Sequence, residues 1–374
     1  MICSKCGRQL DETCVFCPYC GQKVGSADDP INPNEPRETH PDMNTSWLNN
    51  LNKYVGNDQP TELNWKMLFS DVTKKHSTEE AEQIFIYGTK STTPRLSEVS
   101  KDWPHPWLYS RVFFVLFAAF FLLWICIDLF GGVLAIPGLF TIGSFMVPLT
   151  TLVLFMEVNV WRNISFFKMM SIFFIGGCAS LVATLFLFSF FDVREMSFVS
   201  AAITGCVEEL GKLTIIYLFM KRMKKVNILN GLLIGASIGA GFAAFESAGY
   251  AMFYSRGDFH EMMNIIFLRG FLTPGGHVTW AAITGAALAI AANSQNGIVS
   301  SSILKSTQFL RLFCIPIVLH AIWDSPIRIF GSNLPILQIA LTVFVWIVVL
   351  ILVNMGLNEV SKVKTQSMSN NKTK

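Results

Sequence analysis

Ionisable side chains occur in four separate apolar segments of this chain, where helices that face lipid carry almost none. They are Glu208, Glu209 and Lys212 in one segment, Glu246 in a second, His277 in a third, and His320 and Asp324 in a fourth. A charged group at the bilayer centre costs about 2.5 to 3.5 kcal/mol on insertion scales, so such residues usually serve ion passage, proton transfer or catalysis. The set therefore predicts one buried polar site shared by four helices. Structural ion pairs or hydrogen bonds between packed helices are the alternative.

The spacing of these residues favours activation of water. Glu208 and Lys212 are four residues apart and share a helix face, so the lysine can brace this carboxylate. Glu209 then points about 100° away and is free to act as a general base. His320 and Asp324 are also four apart, which suits either a carboxylate-oriented imidazole or two ligands of one metal ion.

The same residues could instead activate water through a bound metal ion. Glu209, Glu246, His277 and His320 offer the mixed oxygen and nitrogen ligands that suit zinc, and a bound metal lowers the pKa of its water. Two histidines within the membrane are more than a glutamate base requires, which favours the metal, but both mechanisms stay open. The sequence contains no His-Glu-X-X-His helix and no triad-like serine signature, so a nucleophile-based hydrolase is disfavoured.

The composition is that of a membrane protein. Of 374 residues, 52% are hydrophobic and 15% are charged, against about 25% charged in soluble domains. The net charge of +3 indicates no nucleic-acid partner. Apolar runs long enough to cross about 30 Å of hydrocarbon predict an all-α polytopic membrane protein with about eight transmembrane helices. These runs lie near 111 to 130, 133 to 156, 168 to 191, 197 to 220, 228 to 254, 264 to 292, 308 to 330 and 334 to 356.

Prolines and glycines should shape the helices that carry the polar set. Pro137 and Pro148 are expected to kink or break the second helix. The segment Thr273-Pro274-Gly275-Gly276 directly precedes His277 and should open the sixth helix toward a cavity. Glycines at four-residue spacing in the fifth helix permit close packing of its neighbours; they are Gly231, Gly235 and Gly239.

Basic residues in short loops predict the orientation. One set of loops and flanks is rich in them: Arg162, Lys168, Lys221, Arg222, Lys224, Lys225, Lys305, Arg311, Lys362 and Lys364. The opposite loops hold only Arg194, Arg256 and Arg328. We therefore expect a multi-pass protein of the cell membrane with both termini in the cytosol.

The first residues form a separate predicted module, in which Cys3, Cys6, Cys17 and Cys20 make two Cys-X-X-Cys knuckles. This paired spacing is typical of a zinc ribbon, and so short a segment has no core without a metal. Cys14 receives no role, and the four cysteines of the apolar runs are interpreted as packing residues. The predicted organisation is a zinc ribbon (1–22), a flexible linker (23–60), a cytosolic juxtamembrane segment (61–110), a membrane domain (111–358) and a polar tail (359–374).

The polar motifs resemble a known family when taken in order. Glu208-Glu209-Leu210-Gly211-Lys212, Phe242-Ala243-Ala244-Phe245-Glu246, His277 and His320-Ala321-Ile322-Trp323-Asp324 look like the motif series of the PrsW intramembrane proteases, distant relatives of the CAAX prenyl protease type. The resemblance implies hydrolysis of membrane-tethered proteins within the lipid bilayer, with anti-sigma factors as the best-known substrates. It implies Glu208, Glu209 and His277 as essential residues and Glu246, His320 and Asp324 as further members of the catalytic site.

Two other classes of function would use similar residues. A proton-coupled transporter or channel also places acids and histidines within the membrane, but the sequence has no inverted repeat and no second broken helix. A non-catalytic membrane sensor would use the same side chains for helix packing alone. The sequence identifies neither the substrate nor the oligomeric state.

Overall fold

The computed structural model describes residues 46–57, 59, 61, 63–191, 193, 197–327 and 335–372. The predicted zinc ligands Cys3, Cys6, Cys17 and Cys20 and most of the predicted linker lie outside these residues. Every helix that carries a predicted site residue of the membrane domain belongs to one compact unit, Asn49–Lys374.

The regular secondary structure of the described residues is helical and includes no strand, which confirms the predicted all-α class. The helices are α1 (Ser46–Val55), α2 (Thr78–Ile86), α3 (Leu108–Phe130), α4 (Ile136–Val158), α5 (Phe166–Ser171), α6 (Gly177–Phe188), α7 (Phe198–Lys221), α8 (Ile228–Tyr254), α9 (Phe259–Leu272), α10 (His277–Ala292), α11 (Thr307–Trp323) and α12 (Ile336–Lys372). A single π-helical turn, Ile172–Gly176, joins α5 to α6.

Among these residues, 6 stretches are long and apolar enough to cross a membrane: Leu108–Phe130, Val133–Val158, Phe166–Phe188, Ile228–Tyr254, Phe259–Gln295 and Ile336–Ser369. The chain is therefore a multi-pass membrane protein. The predicted number of eight is not confirmed by length and composition. Helix α7 carries too many charged side chains for this criterion, and α11 is only 17 residues long. In α7 the charged residues are Glu208, Glu209 and Lys212, so the candidate site residues themselves weaken its membrane signal. Helix α11, which supplies His320, misses the criterion by length.

Helix α8 is the centre of the bundle and packs against α4, α6, α7, α10 and α12. Its closest neighbour is α10, and glycine makes this approach possible. A Cβ atom at Gly235 would overlap the carbonyl oxygen of Ala281, and one at Gly239 would overlap that of His277. The predicted close packing along the glycines is thus confirmed, and it presses the backbone of α8 against the start of α10.

The predicted break before His277 is also confirmed. Helix α9 ends at Leu272, a 3-10 turn spans Thr273–Gly275, and α10 begins at His277. Proline at 274 donates no backbone hydrogen bond, and Gly276 adopts φ −107° and ψ −138°, which is outside the helical region. The predicted break at Pro148 is wrong, because α4 continues through this residue. Pro137 does not break α4 either, since it lies in the first turn of the helix, where proline is tolerated.

We expect Gly235→Ala to lower the free energy of unfolding by about 1 to 3 kcal/mol, because the added methyl group must push α8 away from α10. Gly249→Ala is the matched control in the same helix, since a Cβ there meets nothing within 4 Å. Thermal unfolding in detergent measures both. Equal stability of the two variants would contradict the proposed contact between α8 and α10.

Candidate active site

The structure brings all the predicted polar residues of the membrane domain into one cluster. Helix α7 supplies Glu208, Glu209 and Lys212, α8 supplies Glu246, α10 begins with His277, and α11 supplies His320 and ends at Asp324. Ion-pair distances link each of them to at least one other. Four segments that are far apart in sequence therefore form one site.

The two neighbouring glutamates have different environments. The Nζ atom of Lys212 donates to Oε1 of Glu209 at 2.7 Å, whereas it lies 3.5 Å from Oε2 of Glu208. Glu209 is fully buried at 0% exposure, while Glu208 is 7% exposed and lines a cavity. The roles expected from spacing are thus exchanged: Glu209 is the braced carboxylate, and Glu208 faces the cavity. An ammonium on a long side chain can turn to either neighbour, so i,i+4 spacing alone does not identify its partner.

His277 is held from both sides of its ring. Its Nδ1 atom lies 2.8 Å from Nζ of Lys212, and its Nε2 atom lies 3.0 Å from Oε2 of Glu246. Because an ammonium only donates, Nδ1 of His277 accepts the hydrogen bond from Lys212. The ring hydrogen is therefore on Nε2, which donates a hydrogen bond to Glu246. The neighbours of His277 thereby assign its tautomer and fix the plane of its ring.

His320 lies between two carboxylates. Its Nδ1 atom is 3.0 Å from Oε1 of Glu209, and its Nε2 atom is 3.2 Å from Oδ2 of Asp324. The predicted pairing of His320 with Asp324 is thus present. The Nε2 atom also lies 3.7 Å from Oε2 of Glu208. With carboxylate oxygens beside both nitrogens, the surroundings of the ring suit an imidazolium cation.

Arg269 of α9 belongs to the site and was missed in the sequence analysis. Its guanidinium forms a short ion pair with Glu246, donates from Nε to Oγ of Ser247 at 2.9 Å, and lies 4.2 Å above the ring of Tyr250. The rule that identified the acids, an ionisable residue at membrane depth, applies equally to this arginine. Glu246 therefore links Arg269 to His277.

The charges of the cluster do not balance while both imidazoles are neutral. Four carboxylates, from Glu208, Glu209, Glu246 and Asp324, face two permanent cations, Lys212 and Arg269. An uncompensated charge is costly in a buried site, so the cluster favours either added protons or a bound cation. Two protons or one divalent cation would neutralise it.

A cavity of about 640 Å³ gives access to the cluster. Glu208, Glu246, His277, His320 and Asp324 line it, whereas Glu209 and Lys212 lie behind its wall. Apolar side chains complete the wall, among them Leu268, Leu272, Trp280 and Trp323. The cavity is large enough for water and a segment of peptide beside Glu208.

Three residues could hold a metal ion. Glu208, His277 and His320 each offer one ligand atom, and these atoms lie within 4.8 Å of one another. One oxygen and two nitrogen ligands suit zinc, and the excess negative charge of the cluster suits a divalent cation. The donor types therefore fit such an ion, and each imidazole would bind it in exchange for one of its present contacts, with Lys212 or Glu246 for His277 and with Glu209 or Asp324 for His320. This set differs from the ligands expected from the sequence in two respects. Glu208 replaces Glu209, and Glu246 is absent because it pairs with Arg269 and His277.

The comparison with protein families agrees with this geometry. A family model described as "PrsW family intramembrane metalloprotease" matches residues 161–353, a range that includes every residue of the cluster. No curated protein and no solved structure matches the chain. Because the family model covers more than half of the sequence, the chain belongs to the PrsW family of intramembrane metalloproteases.

Proposed function

We propose that this protein hydrolyses a peptide bond of a membrane-tethered protein, using a water molecule activated by Glu208. The observation that carries the proposal is the position of Glu208, which lines the cavity with ring nitrogens of His320 and His277 at 3.7 Å and 3.9 Å from its Oε2 atom. Family membership favours hydrolysis over proton-coupled transport, which would use similar residues.

In this mechanism Glu208 takes a proton from water as the water oxygen adds to the carbonyl carbon of the substrate. The carbonyl oxygen becomes an oxyanion, which accepts a hydrogen bond from the Nε2–H group of His320 in exchange for the contact of that group with Asp324. Glu208 then returns the proton to the amide nitrogen as the carbon–nitrogen bond breaks. The products are a carboxylic acid and an amine, and the carboxylate of Glu208 is restored.

The remaining residues keep these groups in place. Glu209 holds His320 through Nδ1 and is itself held by Lys212. Glu246, fixed by Arg269, holds His277 through Nε2. These contacts lock the rings and direct the shortest hydrogen bond of Lys212 to Glu209, so the carboxylate of Glu208 faces water in the cavity.

A divalent metal held by Glu208, His277 and His320 would supply a Lewis acid and a water of lowered pKa at the same place. Glu208 cannot be both a metal ligand and the free general base. The metal content of the membrane domain therefore distinguishes the two mechanisms. Membrane-anchored anti-sigma factors are the substrate class that the family resemblance favours.

We further propose that α7 and α11 also cross the membrane, which gives eight crossings with both termini in the cytosol. Helix α7 has 24 residues, enough for about 36 Å, and its charged side chains turn into the bundle. Helix α11 has 17 residues, or about 26 Å, which is slightly less than the hydrocarbon thickness of a typical bilayer.

Glu208→Gln should reduce cleavage of a membrane-tethered reporter about 10²- to 10⁴-fold without changing thermal stability, because it removes the base and leaves a polar group of the same shape. Glu209→Gln should reduce cleavage and also lower the unfolding temperature, because Lys212 and His320 lose their shared carboxylate. Asp128→Asn, an exposed acid near the end of α3, is the control and should keep full activity. A fully active Glu208→Gln protein would rule out the base.

Metal analysis should give one more zinc for the full chain than for a protein that lacks residues 1–60, since the shorter protein has lost Cys3, Cys6, Cys17 and Cys20. Any metal that remains in the shorter protein belongs to the membrane domain. If this protein is metal-free, active and insensitive to a strong chelator, Glu208 acts as the free base. If removal of metal abolishes activity and zinc restores it, Glu208 acts as a ligand.

Single cysteines introduced on both sides of α7 and α11 test the topology. Phe191→Cys and Pro326→Cys should react with a membrane-impermeant maleimide on intact cells. Lys224→Cys and Ser302→Cys should react only after the membrane is permeabilised. The native protein, whose four described cysteines lie in apolar helices, provides the background. Labelling of both members of a pair from the same side would exclude a crossing by the helix between them.

A further inference from the structure

The hydroxyl groups of the cavity differ in one respect. Five serine and threonine residues line it: Ser200, Thr204, Ser247, Thr273 and Ser325. Four of them form hydrogen bonds within the protein. The hydroxyl of Thr204 forms none with any part of the chain that the structure describes. Among these five residues, Thr204 is thus the one whose hydroxyl has unused capacity both to donate and to accept. Tyr250 of α8 also lines the cavity without a hydroxyl hydrogen bond to the described residues, but it lies on a different helix from Glu208.

This is unusual for a threonine inside an apolar helix. Such residues commonly donate to the carbonyl oxygen four residues earlier. Thr214 does so in the same helix α7, with its Oγ1 atom 2.9 Å from the carbonyl oxygen of Leu210. Thr273 and Thr342 do so elsewhere in the bundle. Thr150 and Thr184 are buried in α4 and α6 and also lack a hydrogen-bond partner, but neither lines the cavity. Thr204 differs from them because its free hydroxyl lies at the cavity, where a substrate could reach it.

The position of Thr204 relates it directly to Glu208. Ser200, Thr204 and Glu208 follow one another at four-residue spacing on the cavity face of α7. One such step advances about 6 Å along a helix axis. An extended peptide covers about 3.3 Å per residue, so this step corresponds to about two residues of an extended substrate. A peptide bond at Glu208 would then place the backbone two residues away beside Thr204.

The backbone of a substrate inside the membrane requires a hydrogen-bond partner wherever its helix is unwound. A transmembrane segment satisfies its backbone within its own helix, and a hydrolase reaches the scissile bond only where that helix unwinds. The N–H and C=O groups that become free cost several kcal/mol each in hydrocarbon unless the enzyme satisfies them. Leu268 and Leu272 of α9 also line the cavity and offer apolar contacts for the side chains of such a segment.

We propose that the hydroxyl of Thr204 is a substrate subsite, which binds the main-chain amide of an unwound transmembrane segment about two residues from the scissile bond. This inference rests on the proposed hydrolysis at Glu208. It adds a selection rule: the protein prefers membrane segments whose helix is already interrupted near the cleaved bond, because these cost less to unwind.

Binding to an inactive protein tests the subsite without any need for cleavage. The probes are two lysine-flanked, leucine-rich peptides of about 24 residues, one uninterrupted and one with Gly-Pro at its centre. Each carries a dansyl group, so that energy transfer from the protein's tryptophans reports binding in detergent micelles. In Glu208→Gln protein we expect the interrupted peptide to bind about fivefold more tightly, a preference typical of one hydrogen bond.

Adding Thr204→Val to Glu208→Gln should remove this preference, and adding Thr204→Ser should restore it. Adding Thr214→Val, which removes a hydroxyl from the same helix away from the cavity, should leave the preference unchanged. Unfolding temperatures of all four proteins exclude a general loss of structure. Equal affinity for the two peptides, or a preference that survives Thr204→Val, overturns the subsite.

Cleavage of the interrupted peptide by the native protein is measured in parallel. If the preference depends on Thr204 but the native protein never cleaves the peptide or a membrane-tethered reporter, the subsite stands as a peptide-binding site and the proposed hydrolysis fails. If the native protein cleaves and Thr204→Val changes neither binding nor the Michaelis constant, the hydrolysis stands and the subsite fails.

Discussion

The site depends on one buried ammonium group. The Nζ atom of Lys212 lies 2.7 Å from Glu209 on its own helix, 2.8 Å from His277 on α10, and 4.3 Å from the centre of the Phe242 ring on α8. The side chain has no exposure to solvent. A buried ammonium is stable only when several partners compensate for its lost hydration, so three helices must keep their relative positions for the cation to remain charged. The same contacts set the tautomer of His277 and leave Glu208 as the carboxylate that faces the cavity.

Backbone packing makes this arrangement geometrically possible. The glycines of α8 allow α10 to approach so closely that its first residue, His277, lies beside α8 and within reach of α7. The break at Thr273–Gly275 separates α9 from α10, which lets Arg269 and His277 approach Glu246 from two directions. A continuous helix would place residues 269 and 277 about 12 Å apart along its axis. Small residues and a helix break therefore bring polar side chains from separate helices together into one site.

The site contains two groups of residues: those that position other side chains through hydrogen bonds, and those that face the cavity. Glu209 and Lys212 lie behind the wall, while Glu208, His277 and His320 line it. In α7 this separation follows from the rotation of about 100° between consecutive residues, which sends two adjacent carboxylates to different surroundings. Charge balance adds a second constraint, because the carboxylates outnumber the permanent cations. That excess makes the cluster receptive to protons or to a divalent cation, the two agents on which the proposed mechanisms differ.

The sequence alone determined the helical class, the membrane environment, the break before His277, the close packing along Gly235 and Gly239, and the membership of the cluster apart from Arg269. Each of these follows from local properties: hydropathy over about 20 residues, the missing N–H of proline, the missing side chain of glycine, and the cost of charge in hydrocarbon. The tertiary structure decided which carboxylate Lys212 holds, that Arg269 joins Glu246, and that Thr204 faces a cavity with a free hydroxyl. Spacing along one helix cannot decide these points, since each depends on which neighbouring helix lies opposite the side chain and how deeply that helix buries it.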